Sequence, residues 1–260
     1  MLLLRKMTGL ALMILSLCSG WQGQAEEALV ECLQSACRVT HEGQSATAFF
    51  VRRGKEVFLV TAAHLFEKST KPECQMILRG RDSSGVVGRR EIVVAVRKDG
   101  QPLWKKHANE DVAALRVEIP SEIEMNPVRF DRIMKASSSG DSEVKLGQTV
   151  WLPGYPAQLE ANAAGWPVLR QGMIASYPLS PVATIRTMLV DIRSFGGDSG
   201  APIFTLIKGT PHLAGMIVGM HRQTDHTTSA FEDRTVHTPL GLAIALQGNV
   251  VAQTIALFQH

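Results

Sequence analysis

Long apolar runs are missing from this sequence. The main one, Met7–Leu17, has eleven residues, and a helix needs about 20 to cross the hydrocarbon core of a bilayer, so no stable membrane anchor is expected. Cysteine is scarce too: there are four, with no Cys-x-x-Cys pair and no Cys/His spacing of the kind that holds zinc, so no metal site is expected. Neither sign of charge dominates, with 27 basic and 24 acidic residues. The 45% apolar and 20% charged composition excludes disorder, coiled coil and collagen. Helical periodicity is almost absent before residue 248.

The short run at the N-terminus has a meaning of its own. Arg5 and Lys6 precede it, and a polar segment ending Gly23-Gln24-Ala25 follows it, the pattern of a secretory signal peptide. Residues 1–25 are therefore assigned to the signal, with cleavage after Ala25 and Gly20 as second choice. The bulky Leu17 before Cys18 argues against lipid attachment. The expected location is the periplasm or the cell exterior. Cleavage removes Arg5 and Lys6 and no acid, lowering the formal charge of +3 by two, so the basic pI near 8.7 no longer hints at nucleic acid. Cys32, Cys37 and Cys74 then enter an oxidising compartment, and their odd number leaves one unpaired within the chain. Cys32 and Cys37 can bridge the ends of a tight hairpin and leave Cys74 free, but only Cα distances decide this.

Short apolar runs recur between Gly, Pro, Asn, Asp and Ser: Thr47–Val51, Val57–Thr61, Gln75–Leu78, Glu91–Val96, Val112–Val117, Val144–Leu152, Val168–Ala175, Thr187–Ile192, Pro202–Ile207, His212–Met220 and Leu240–Leu246. Strands at this spacing predict an all-β barrel or sandwich. Within Val144–Leu152, alternation puts Val144, Leu146, Val150 and Leu152 on one face. One α-helix closes the chain, with Asn249 as cap and Val251, Ile255 and Phe258 as its apolar stripe. The polar segment Asp131–Asp141 divides the chain into two β-rich halves, 26–135 and 136–260.

Three motifs carry chemistry. Phe58–His64 is an apolar strand that ends on a histidine, Asn109–Leu115 holds an aspartate leading into a strand, and Phe195–Phe204 holds Gly196-Gly197-Asp198-Ser199-Gly200. A serine hydroxyl is a poor nucleophile at neutral pH unless a base takes its proton as it attacks. His64 can be that base through one ring nitrogen while Asp111 holds the proton on the other. The glycines around Ser199 allow the backbone N–H groups of Gly197 and Ser199 to converge on one point as an oxyanion hole. Asp198 is assigned to shaping that loop rather than to the proton relay.

Thr61-Ala62-Ala63-His64, Asp111-Val112-Ala113-Ala114-Leu115 and Gly197-Asp198-Ser199-Gly200 resemble the signatures of chymotrypsin-fold (trypsin-like) serine endopeptidases, in that family's order. The resemblance runs from about residue 45 to 246 and includes Leu146–Val150, Gly154-Tyr155-Pro156, Arg170–Ser176 and Asp191, similar to the second barrel of bacterial secreted and periplasmic members. It implies two antiparallel β-barrels followed by the C-terminal helix, with His64 and Asp111 in the first barrel and Ser199 in the second. It also implies hydrolysis of polypeptide substrates through an acyl-enzyme, without cofactor or metal and without room for a PDZ module. Leu65 stands where vertebrate digestive members have a cysteine. No Arg-Ile-Val-Gly-Gly activation site precedes the first barrel, so Asp198 is not expected to pair with a freed N-terminus.

The same resemblance places Arg193 at the floor of the primary specificity pocket and Ile217, Val218 and Gly219 on the strand that lines it. A positive charge at that floor implies preference for an acidic side chain, against the alternative of a surface arginine. Val218 replaces a serine that hydrogen-bonds the catalytic aspartate in many members, so Asp111 is expected to lack one partner. The alternative function is a weakly active or non-catalytic binding protein on the same fold. His212, His221, His226 and His237 are expected in solvated loops.

Overall fold

The structure is a computed structural model and describes residues 23–229 and 232–258. Most of the expected signal peptide lies outside the described residues; its last three positions, 23–25, open a helix over residues 23–35, α1. Ala28 and Cys32, one turn apart, are buried at 4% and 1% exposure, so α1 packs one face inward.

The chain passes straight from α1 into β1 (Ala36–His41), β2 (Gln44–Arg53) and β3 (Glu56–Thr61). Glu42 and Gly43 join β1 to β2 with φ of 50° and 77°, the left-handed pair that a two-residue hairpin loop requires. A single turn, α2 (His64–Glu67), leads to β4 (Glu73–Arg81) and β5 (Val87–Ala95), then to β6 (Arg97–Lys98), β7 (Gln101–Pro102), β8 (Trp104–Lys106), β9 (Ala113–Val117) and β10 (Val128–Arg129). These form a sheet in the order β5-β4-β1-β2-β3-β9-β8, with β10 parallel to β2 and β6-β7 a separate small hairpin. The second half has β11 (Thr149–Gly154), β12 (Val168–Ile174), β13 (Thr187–Asp191), β14 (Pro202–Ile207), β15 (Thr210–Thr228), β16 (Asp233–Gln247) and α3 (Gly248–Ala256). Its strands close into a barrel in the order β11-β12-β13-β16-β15-β14. The all-β fold with a C-terminal helix thus has one fully closed barrel and one sheet whose end strands, β5 and β8, do not pair with each other.

Each half has its own core, and a third cluster joins them. It brings Phe49, Val51 and Phe58 of the first sheet against Phe204, Leu213 and Leu246 of the barrel, with Val251 and Ile255 of α3 and Cys32 of α1. Burial of this shared apolar surface is the main force fixing the two halves together, at roughly 25 cal/mol per Å² removed from water.

Four expectations are corrected. Cys32 lies on α1 and Cys37 on β1, in different core clusters, so no hairpin bridge forms. All three thiols are free and buried, and burial pushes Cys32 and Cys74 up to about 12. The cap of α3 is Gln247, not Asn249, which lies inside the helix, although the stripe Val251, Ile255 and Phe258 is buried as the pattern requires. The strand foreseen from Val144 begins at Thr149, because Gly147 turns the chain at φ 74° and leaves Leu146 57% exposed. The four histidines sit on β15 and β16 rather than in loops; beyond Met220 these strands run on as an exposed ribbon.

Candidate active site

The register of β3 on β9 pairs Thr61 with Ala113. Continuing that antiparallel pairing by two residues brings the start of α2 beside Asp111. His64 donates its Nδ1–H to Asp111 Oδ2 at 2.6 Å, and its backbone N–H donates to Asp111 Oδ1 at 2.9 Å. The hydrogen bond to Asp111 raises the His64 pKa above its ordinary 6.5, against the opposing effect of burial. Burial pushes the Asp111 carboxyl up, but the His64 ring and backbone hydrogen bonds outweigh it and hold the group below 3.8. Among the described residues no hydroxyl donates to Asp111; Val218 offers hydrocarbon and packs against the shared core.

The Ser199 loop rests on the end of β3. Gly200 has φ 85° and lies against the Thr47 carbonyl, the Thr61 hydroxyl and the Ala62 amide, where a side chain would collide. Its N–H donates to Ile217 O at 2.8 Å, and Thr47 N–H donates to Ser199 O at 3.0 Å. These bonds bring Ser199 to the segment that carries His64. Among the described residues the Ser199 hydroxyl makes no hydrogen bond, and neither the Gly197 nor the Ser199 amide donates to another group. The two amides are therefore available to an incoming oxygen.

Two further groups hold this loop, and sequence reasoning did not assign either. Arg170 on β12 forms a bidentate ion pair with the fully buried Asp198, at 2.5 and 2.8 Å. Asp198 also accepts the Phe195 N–H at 2.8 Å, and Arg170 donates to Arg193 O at 2.9 Å. A buried carboxylate needs such a partner, and the missing activation site was the signal that one had to come from within the chain. Thr47, buried on β2, donates to Gly197 O at 2.8 Å and accepts the Tyr155 N–H at 3.1 Å; nothing in its strand context marked it.

Residues 46–212 match the sequence family described as trypsin-like peptidase domain. The chain belongs to the trypsin-like peptidases. It is accordingly a serine endopeptidase. No curated protein matches it by sequence. Among solved structures, the peptidase is similar to the inactive form of the Rv3671c protease, with TM-score 0.50 and 15% identity over 90% of this chain and 93% of that one. A serine-to-alanine mutant of Rv3671c from M. tuberculosis H37Rv, also an inactive form, gives 0.51 and 14% over 88% and 89%. The HtrA-type protease AlgW with a tripeptide gives 0.53 and 13% over 90% of this chain and 62% of that one.

Beside the Ser199 loop of the peptidase, a cleft is lined by Arg193, Ser194, Phe195, Pro239, Leu240 and Gly241. Arg193 is exposed there. Ile217, Val218 and Gly219 do not line this cleft: Ile217 is 1% exposed and packs into the barrel core. His226 and His237 bond across the ribbon to Thr235 and Thr224 at 3.0 and 2.9 Å. Among the described residues no group of three or more His, Cys, Asp and Glu side chains is placed to hold a metal ion, and no helix is long and apolar enough to cross a membrane.

Proposed function

We propose that this peptidase cleaves peptide bonds through an acyl-enzyme, with Ser199 as nucleophile, His64 as general base and Asp111 as the acid that orients it. The observation that carries this is the Nδ1–H bond from His64 to Asp111, which fixes the tautomer with a lone pair on Nε2. As Ser199 Oγ attacks the scissile carbonyl carbon, His64 Nε2 takes the hydroxyl proton, and the carbonyl oxygen becomes an anion held by the Gly197 and Ser199 amides. Collapse breaks the C–N bond, and the proton on Nε2 passes to the leaving amine. Water, deprotonated by the same nitrogen, then hydrolyses the ester. In unliganded enzymes the serine–histidine bond is often long and tightens with substrate. The chemistry takes no metal or organic cofactor.

Because His64 must be neutral to act, kcat/KM is expected to rise with pH through a midpoint above 6.5, the direction in which Asp111 shifts it; Asp111→Asn removes that hydrogen bond and moves the midpoint down. Stability follows the opposite sign. The raised His64 pKa contributes stability that is fully present below 6.5 and lost as pH rises through the folded-state value, while the lowered Asp111 pKa contributes stability present above 3.8 and lost as pH falls through its folded-state value. Both describe one contact and count once. A pH–rate profile and a pH series of melting curves check the two signs.

We also infer export, with Arg5, Lys6 and the apolar run Met7–Leu17 as the signal and cleavage after Ala25. One mass-spectrometric experiment tests both readings. Protein recovered from the export compartment is treated with a fluorophosphonate. The expected result is a mature N-terminus at Glu26 and a mass increment on the peptide that contains Ser199, absent in Ser199→Ala and reduced in His64→Ala. Folded protein that takes no label overturns the nucleophile and favours a binding role; an intact N-terminus overturns the cleavage site.

A further inference from the structure

Arg79, on β4, is fully buried and has no carboxylate within 4 Å among the described residues. A buried cation without a counter-ion is costly unless its N–H groups and its charge are met in another way. Here Nη1 donates to Ala36 O at 2.9 Å, and Nη2 donates to Leu33 O and Gln34 O at 3.4 and 3.2 Å, while Nε has no hydrogen-bond partner among the described residues. Leu33 and Gln34 are in the last turn of α1, where free carbonyls and the helix dipole present partial negative charge. The C-terminal end of α1 therefore serves as the counter-charge of Arg79.

The guanidinium reaches in the other direction into the second half. Nη1 also donates to the Tyr155 hydroxyl at 3.2 Å, and the group lies over the Trp166 ring, 4.9 Å from its centroid. The buried Tyr155 hydroxyl donates its own hydrogen bond to Gly165 O at 3.0 Å. The backbone of Tyr155 belongs to the floor of the candidate oxyanion hole: its carbonyl lies against Gly197, its N–H is held by Thr47, and Ala157 N–H donates to Gly196 O at 2.6 Å. Ala157 and Gln158 both have left-handed φ, 49° and 66°. Side-chain residues keep that conformation where surrounding contacts enforce it, and Arg38 adds to them by donating to Gln158 O at 3.2 Å.

We propose that Arg79 is a positioning residue for the oxyanion loop, transmitting the seating of α1 through Tyr155 to the Gly196–Ser199 backbone. This rests on the reading of Gly197 and Ser199 as oxyanion donors. Without α1 in place, Arg79 loses its counter-charge and with it the fixed position from which it donates to Tyr155, so the seating of α1 bears on turnover.

The test uses the mature protein with Tyr155→Phe, Arg79→Lys and Arg79→Met. Turnover is normalised to fluorophosphonate-titrated sites, and hydrogen exchange of peptides covering 155–160 and 195–200 is followed in a Ser199→Ala background. Arg79→Met is expected to lower kcat about 10²-fold with KM little changed, the scale of a misplacement near 1 Å at a reacting group. Tyr155→Phe gives a smaller loss in the same direction, Arg79→Lys recovers part of it, and all three speed exchange in both peptides. Should Arg79→Met fail to fold, Tyr155→Phe, which deletes one oxygen, still decides the matter. Folded variants with parental kcat per titrated site and parental exchange overturn the relay. Faster exchange in the variants, alongside a parent that neither labels nor hydrolyses, supports the relay and rejects the peptide-cleavage chemistry instead.

Discussion

Alanine at Ser199, at His64, or at both is expected to leave the same residual activity, about 10⁶-fold below the parent in kcat. The three variants converge because the two residues act on one proton: without Nε2 the hydroxyl is not activated, and without the hydroxyl the base has nothing to activate. What remains comes from substrate binding and from the Gly197 and Ser199 amides, which neither substitution removes. Asp111→Asn is expected to cost less, about 10⁴-fold, since the imidazole stays in place but loses the acceptor that fixes its proton on Nδ1. Steady-state kinetics on purified, folded variants check the series. Losses that multiply in the double variant would show that Ser199 and His64 act independently, and the proton relay would then be wrong.

His64 and Asp111 were readable because the strands beside them, Val57–Thr61 and Ala113–Val117, are short, largely apolar runs, interrupted in the second only by Arg116, as half-buried strands are. Antiparallel pairing of two such strands brings a residue just past one end beside a residue just before the other. Arg170 was equally visible as a residue, but its partner lies 28 positions away, and only the β11-β12 register, which sets Leu152 against Arg170 and Gly154 against Val168, points it at Asp198. Arg79 lies just past the run Gln75–Leu78 and drew no assignment from the sequence, because burial of a cation on helix-end carbonyls leaves no local pattern. In α1 the pair Ala28 and Cys32 is at helical spacing, yet both are small and the stripe is too short to outweigh a hairpin reading built on the cysteines. The outer ribbon of β15 and β16 was invisible for the opposite reason: residues 221–228 and 233–240 are exposed on both faces, so alternation has no core to record.

Arg170→Met is expected to damage both stability and turnover, and a second variant separates the two. Asp198 has no solvent exposure, so removing its partner strands a charge in the interior, which typically costs about 3–5 kcal/mol and lowers Tm by about 10 °C or more in a chain of this size. Gly197 and Ser199 flank Asp198 directly, so any movement of the carboxylate carries their amides with it. Loss of one such donor costs about 10²–10³-fold in kcat. Pairing Arg170→Met with Asp198→Asn removes the stranded charge, and the asparagine can still accept the Phe195 N–H, so most of the lost Tm returns. Turnover does not return with it, because a neutral amide without the bidentate arginine no longer pins the loop against β12. Differential scanning calorimetry and kcat per titrated site on the single and double variants decide this. Recovery of both quantities together would mean that the ion pair only relieves a buried charge and that Thr47, through its bond to Gly197 O, suffices to hold the oxyanion loop.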